Sequence, residues 1–337
     1  MRQGFVIAVA GMWVCLPVAM GAEIPKVIFD TDMTGDCDDC GALAVLHALA
    51  DRGEVEILGC IASFGSNPYV AGCVDAINTY YGRGDLPIGA EQGDFGTPES
   101  LYVEAIAKDT ARYGHSIVTK SDAPDHVSVY RRLLAGQPDG SVTIVTVGRL
   151  KGLYDLLLSE PDENSDLDGD TLVQRKVLRW VCMGGHYPNV DGKKEANFCT
   201  RGGDAYTKKM VERWRLPAVF GGWEVGDRIL TGPALLRQSD DNPVARAYRL
   251  FFDGVGGPNK PTTRPSWDQT AVLLAVRGAA PYWDVVTGGC NEIHEDGVNV
   301  WRAEPDKGHA YIVERQDPKE VTAVISGLMT QTPRARK

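Results

Sequence analysis

The sequence has no surplus of positive charge. Its 337 residues carry 35 lysines and arginines against 45 aspartates and glutamates, a formal net charge of −10. Binding to a phosphate backbone needs clustered Lys and Arg, so the balance speaks against a nucleic-acid partner and for a small, neutral or metal-bound ligand. Beyond the first twenty residues no apolar run is long enough to span a bilayer. No G-x-G-x-x-G follows the first predicted strand and no G-x-x-x-x-G-K-[ST] occurs, which leaves a dinucleotide site or a P-loop without support. Cys37 and Cys40 form a C-x-x-C, but no second C-x-x-C or nearby C-x-x-H completes a zinc site. Neighbouring carboxylates would also raise the thiol pKa of a redox pair. The acidic stretch 161–171 (PDENSDLDGDT) lacks the closing glutamate of an EF-hand, because Arg175 stands twelfth from Asn164, and it reads as an exposed connection. Internal repeats and convincing linkers are missing too.

The N-terminus has Arg2, an apolar stretch over 5–18 and the small-residue segment Ala19-Met20-Gly21. This is a signal-peptide pattern over 1–22, cut near Ala22 or Glu23. It predicts an exported protein, secreted or periplasmic, with no membrane attachment after cleavage and a single domain over 23–337. Seven cysteines remain after the cut, so at least one thiol stays unpaired in an oxidising compartment. Packing or a local disulfide is the expected role of Cys37 and Cys40.

The chain is organised around residues 26–50, KVIFDTDMTGDCDDCGALAVLHALA. Val27, Ile28 and Phe29 read as a buried strand. Asp30, Asp32, Asp36, Asp38 and Asp39 follow within ten residues, and Leu43, Leu46, His47 and Ala50 then recur at helical spacing. So many like charges in one loop raise each other's pKa unless a cation neutralises them, and all-oxygen donors suit calcium or magnesium better than zinc. Downstream, apolar β-branched runs (55–63, 86–90, 141–147, 178–183 and one within 217–225) alternate with helical patterns (69–81, 100–113, 127–135, 150–159, 204–214). This spacing of βα units predicts an α/β fold: a mostly parallel central sheet flanked by helices, with a β-rich C-terminal extension over 282–314 and a last helix over 318–329. Ligands in such sheets bind at the carboxyl ends of the strands, where the acidic loop lies. His47 is expected on a buried helix face, and His115, His126, His294 and His309 at the surface.

The Asp30-Thr31-Asp32 and Asp38-Asp39 pairs resemble the D-x-D-P-G-x-D-D signature of the nucleoside hydrolase family, the calcium-dependent N-ribohydrolases typified by the inosine–uridine-preferring enzymes. Here the loop is two residues longer and Met33 replaces the proline. The resemblance implies a Rossmann-like nucleoside hydrolase fold. It also implies Asp32 as general base and calcium ligand, Asp38 as a ribose contact and Asp39 as a bidentate ligand. It recurs in order along the chain. TIVTVGRL (143–150) is similar to the strand whose end gives a carbonyl to the metal, a role falling on Val147, although Arg149 replaces the usual proline. Met183-Gly184-Gly185 and Glu195-Ala196-Asn197-Phe198 resemble the ribose-holding segments, with Asn189 as a looser match and Asn67 a weak one. In Ser266-Trp267-Asp268, Asp268 matches the last calcium ligand. Trp267 stands where the inosine–uridine branch has a histidine and the purine-preferring branch a base-stacking tryptophan. None of the six histidines falls on a matching position; His186 alone is close to a motif. The implied activity is hydrolysis of purine nucleosides to ribose and base, by a chain that forms dimers or tetramers as the family often does.

Two other readings stay open. Asp30-Thr31-Asp32-Met33-Thr34 also fits a haloacid-dehalogenase-type D-x-D-x-T phosphatase, with Asp30 as nucleophile and magnesium as the ion. An exported nucleoside- or sugar-binding protein that keeps the calcium site without turnover is the third reading, kept alive by Trp267.

Overall fold

The computed structural model describes residues 23–63, 66–93, 100–200, 202–256 and 260–334. The expected signal peptide lies outside the described residues. The described residues form eleven strands: β1 (Lys26–Thr31), β2 (Glu56–Ala62), β3 (Ile88–Ala90), β4 (Val142–Thr146), β5 (Val177–Met183), β6 (Ala218–Gly221), β7 (Leu230–Thr231), β8 (Arg264–Pro265), β9 (Trp283–Ile293), β10 (Asn299–Arg302) and β11 (His309–Glu314). Nine of them make one sheet in the order β10-β9-β11-β6-β5-β4-β1-β2-β3, and β7 pairs with β8 alone. From β3 across to β11 the neighbours are parallel; β9 and β10 join antiparallel.

The sheet is covered on both faces, as a parallel sheet requires. Along β1, Val27 and Phe29 join one apolar cluster and Ile28 joins the other. The first cluster is built on the helix Asp38–Asp51, which is buried all round from Asp38 to Leu49 and is therefore a central rather than a surface helix. It packs against the helices Trp267–Arg277 and Pro318–Met329. The approach is close: a Cβ added at Gly41 would lie 2.4 Å from the Gln269 amide nitrogen and 2.7 Å from the Tyr248 hydroxyl. Each fully buried leucine on this helix contributes roughly 1.5–3 kcal/mol. The contact carries a site across the chain, since it places Asp268 beside Asp38.

The β-rich C-terminal extension is present, with β11 joined to β6 and β9 and β10 beyond it at the edge of the main sheet. Elsewhere the sequence reading and the structure differ in three places. The helix expected over 100–113 breaks into Val103–Ala107 and Thr110–Tyr113. The break lets the Tyr102 hydroxyl donate to the Asp36 carbonyl at 2.7 Å while Tyr113 reaches the Asp240 carbonyl at 2.9 Å. The 161–171 connection is pinned from beneath by buried Arg131, which pairs with Asp162 and donates to the Ser165 and Leu167 carbonyls. His47 is buried as expected, but so are His115, His126 and His309, each held among polar or aromatic partners; His294 is half-exposed. The seven cysteines among the described residues are free thiols, six of them buried, so packing is their role here.

Candidate active site

The segments that follow β1, β4, β5 and β6 meet the start of the helix Trp267–Arg277 around a cavity of about 370 Å³. The first is the acidic loop. Met33 takes a left-handed backbone, φ 48°, uncommon for a residue with a long side chain. Its N–H donates to Asp39 Oδ1 at 3.1 Å, and its carbonyl accepts from Tyr102 at 3.0 Å. The Thr31 hydroxyl donates to the same Asp39 oxygen at 2.5 Å. Asp38 and Asp39 form the first turn of the helix Asp38–Asp51, where the helix dipole favours negative charge. From the far end of the chain, the Asp268 N–H donates to Asp38 Oδ2 at 3.2 Å.

Of the sequence-predicted residues, Asp32, Asp38, Asp39, Val147, Met183, Glu195, Asn197, Trp267 and Asp268 all line this one cavity. Asn67 and Asn189 are buried and do not line it. Asn67 Oδ1 accepts from the Tyr69 N–H, which turns the chain into the next helix. Asn189, at φ 54°, clamps its own loop by bonds to Lys193 and to the Asn299 carbonyl. Asp30 lies on the other side of β1, fully buried against the Tyr130 hydroxyl at 2.5 Å, and burial pushes its carboxyl up to about 7. A nucleophile cannot act from there, which removes the ground for the phosphatase reading.

The Glu195 carboxylate accepts from three backbone amides, those of Gly185, Asn197 and Phe198, at 2.9–3.1 Å. It thereby fixes the turn that presents Asn197, whose amide donates to the Val147 carbonyl at 3.1 Å. Gly148 is needed for a close approach, since a Cβ there would sit 2.8 Å from Asp32.

The charge balance decides what the cavity can hold. Six acids line it (Asp32, Asp36, Asp38, Asp39, Glu195, Asp268) against two arginines, Arg149 and Arg264. Burial, and after it the neighbouring carboxylates, drives the Asp38, Asp39 and Asp268 carboxyls well above their usual range. Carboxylate oxygens of Asp36, Asp38 and Asp39 come within 4.8 Å of one another, and Asp268 feels the charges of Asp38, Asp39, Asp36 and Asp32. Buried acids crowded this way, with a backbone carbonyl beside them, fit a hard divalent cation bound through oxygen.

Sequence reasoning left four charged or aromatic lining residues without a role there. Asp36 stood in the loop as one carboxylate among five, and Arg149 only as a replaced proline. Arg264 Nε donates to Asp36 Oδ2 at 3.0 Å, and its guanidinium lies 5.1 Å from the Trp267 ring; no local pattern marks it. Trp223 follows β6 and could have been found from its place at a strand's carboxyl end. The Trp223 and Trp267 rings are 6.2 Å apart, tilted by 32°, and the Trp267 indole N–H donates to the Trp223 carbonyl at 2.8 Å.

No protein-family model matches the chain, and no curated protein matches it in sequence. Solved structures do. An inosine–uridine-preferring nucleoside hydrolase from Bacillus anthracis aligns with 91% of this chain and 99% of its own, at 15% identity and a TM-score of 0.65. A purine-preferring ribonucleoside hydrolase from Gardnerella vaginalis aligns with 90% of this chain and 99% of its own, at 17% identity and a TM-score of 0.61. The type III effector protein XopQ, solved with adenosine diphosphate ribose, aligns with 93% and 95%, at 15% identity and a TM-score of 0.68. The chain has the fold these proteins share.

Proposed function

We propose that this chain is a nucleoside hydrolase that cleaves the N-glycosidic bond of ribonucleosides, purine nucleosides above all, with calcium as its metal. One observation carries the reading. Asp32, Asp38, Asp39, Val147, Glu195, Asn197, Trp267 and Asp268, far apart in sequence, converge on one acidic cavity in a fold shared with nucleoside hydrolases.

Asp32, Asp39, Asp268 and the Val147 carbonyl would hold the ion, with Asp36 close enough to take part. Bound, a calcium ion would offset the acids' charge and act as a Lewis acid toward water and the pentose hydroxyls. Asp32 takes the proton of the attacking water, which adds at C1′ as the bond to the base breaks through an oxocarbenium-like state. Asp38 and Asn197 bind the ribose hydroxyls, a carboxylate accepting and an amide able both to donate and accept. Glu195 acts through the turn it fixes, and Met183 lines the cavity floor. Trp267 and Trp223 give flat apolar walls that suit a bicyclic base. An indole N–H is not an acid, so the departing base takes its proton from solvent.

A second reading, a binder without turnover, draws on the Arg149 guanidinium held 2.9 Å from the base, Asp32 Oδ2. Free-ribose assay across a nucleoside panel separates the two. Hydrolysis predicts calcium-dependent ribose release that Asp32→Ala lowers by about 10³-fold; the binder predicts ligand affinity and no ribose. The N-terminal pattern adds export to the proposal, with nucleosides met outside the cytoplasm.

A further inference from the structure

We infer that Arg149 is a built-in counter-ion that competes with the metal for Asp32 and so sets how tightly the site binds calcium. The inference rests on the acidic cavity being the metal site. Arg149 follows the Val147 carbonyl and Gly148, on the loop pressed against Asp32. Arg149 is 5% exposed, and its guanidinium donates to Asp32 Oδ2 at 2.9 Å and reaches Thr34 Oγ1 at 3.5 Å. The other Asp32 oxygen accepts from the Thr34 N–H at 3.4 Å. Both oxygens of a metal ligand are thus already engaged by the protein. Arginine is always charged and matches a carboxylate better than any other side chain, and a buried pair is weakly screened by solvent.

An anionic group on the ligand is a poorer account of Arg149. The lining keeps four more acids than arginines, and even a divalent cation leaves it negative, so a phosphate would be repelled. Removing the guanidinium should instead act on the metal. Without metal, the variant keeps a crowded acid cluster with one cation fewer; with metal, the ion no longer shares Asp32 with a guanidinium.

Calcium titration calorimetry on the chelator-treated full chain tests this, with thermal melts with and without calcium. Arg149→Ala should bind calcium at least about tenfold more tightly than the unsubstituted chain. Its melting temperature should fall without calcium and gain more on adding it, while Arg149→Lys stays near the unsubstituted chain. Arg149→Gln keeps a donor toward Asp32 without the charge and should shift the same way; it is the variant to read if Arg149→Ala does not fold. Equal or weaker calcium binding by the folded variants overturns the inference and leaves the hydrolase reading standing. If neither the unsubstituted chain nor any variant binds calcium, the metal reading itself falls, and this inference with it.

Discussion

Two clusters of acids flank β1, and they are built on opposite principles. On one side Asp30 accepts from Tyr130, His126 lies between Asp125 at 3.2 Å and Asp155 at 3.3 Å, and Lys151 pairs with Glu91 at 3.0 Å. There the protein itself supplies hydroxyls and cations for its acids. On the other side the lining acids outnumber the arginines, and Asp38, Asp39 and Asp268 crowd around open space. Burial of charge without partners is costly, so the first cluster serves the fold, while the second waits for charge from outside. Neighbouring aspartates of one D-x-D thus have unrelated tasks, and only the partners around them tell which is which.

The sharpest way to break this comparison is to change one residue on each side. Asp32→Ala should lower ribose release by about 10³-fold, within the usual span for loss of a general base. Tyr130→Phe, which strips a donor from Asp30, should leave calcium affinity unchanged. A loss of metal binding in Tyr130→Phe would show that the two clusters are one.

The next effect is on stability against pH. Burial alone would lower the His126 pKa, but the Asp125 and Asp155 carboxylates overcome it and raise it to about 9. A group whose folded pKa exceeds its unfolded value binds more protons when folded. Its contribution is therefore complete below about pH 6.5 and lost as pH climbs through 9. A pKa raised to about 9 caps this contribution at about 3 kcal/mol. Melting temperatures between pH 6 and 9.5 should fall for the unsubstituted chain and stay flatter for His126→Gln. Tyr130→Phe should cost about 1–3 kcal/mol in denaturant unfolding, the usual penalty for a buried acceptor left short of a donor.

The smallest effect concerns the base. Trp267→Ala should raise KM for purine nucleosides about tenfold, while Trp267→Phe keeps most of the stacking surface, worth ~1–3 kcal/mol per base. A kcat loss with KM unchanged would instead point to a role for Trp267 at the reacting bond.

Much of this was legible in the sequence. Alternating apolar runs and helical periods gave the parallel sheet and placed the acidic loop at its carboxyl edge, because burial on both faces forces that patterning. The motifs brought Asp38 and Asp268 together across 230 residues. What stayed hidden depends on partners that arrive from elsewhere in the chain. No local signal shows that Arg264 pairs with Asp36, that Trp223 faces Trp267, or that His115, His126 and His309 are buried. Asn189 matched a sugar contact by spacing but spends its amide on the Lys193 backbone and on the Asn299 carbonyl of β10.

Anomalous diffraction from crystals grown with calcium addresses the central claim most directly. The account predicts one ion in the cavity, bound by Asp32, Asp39, Asp268 and the Val147 carbonyl, with Arg149 drawn away from Asp32. Crystals at saturating calcium that show no ion between the front loop and the late helix would contradict it.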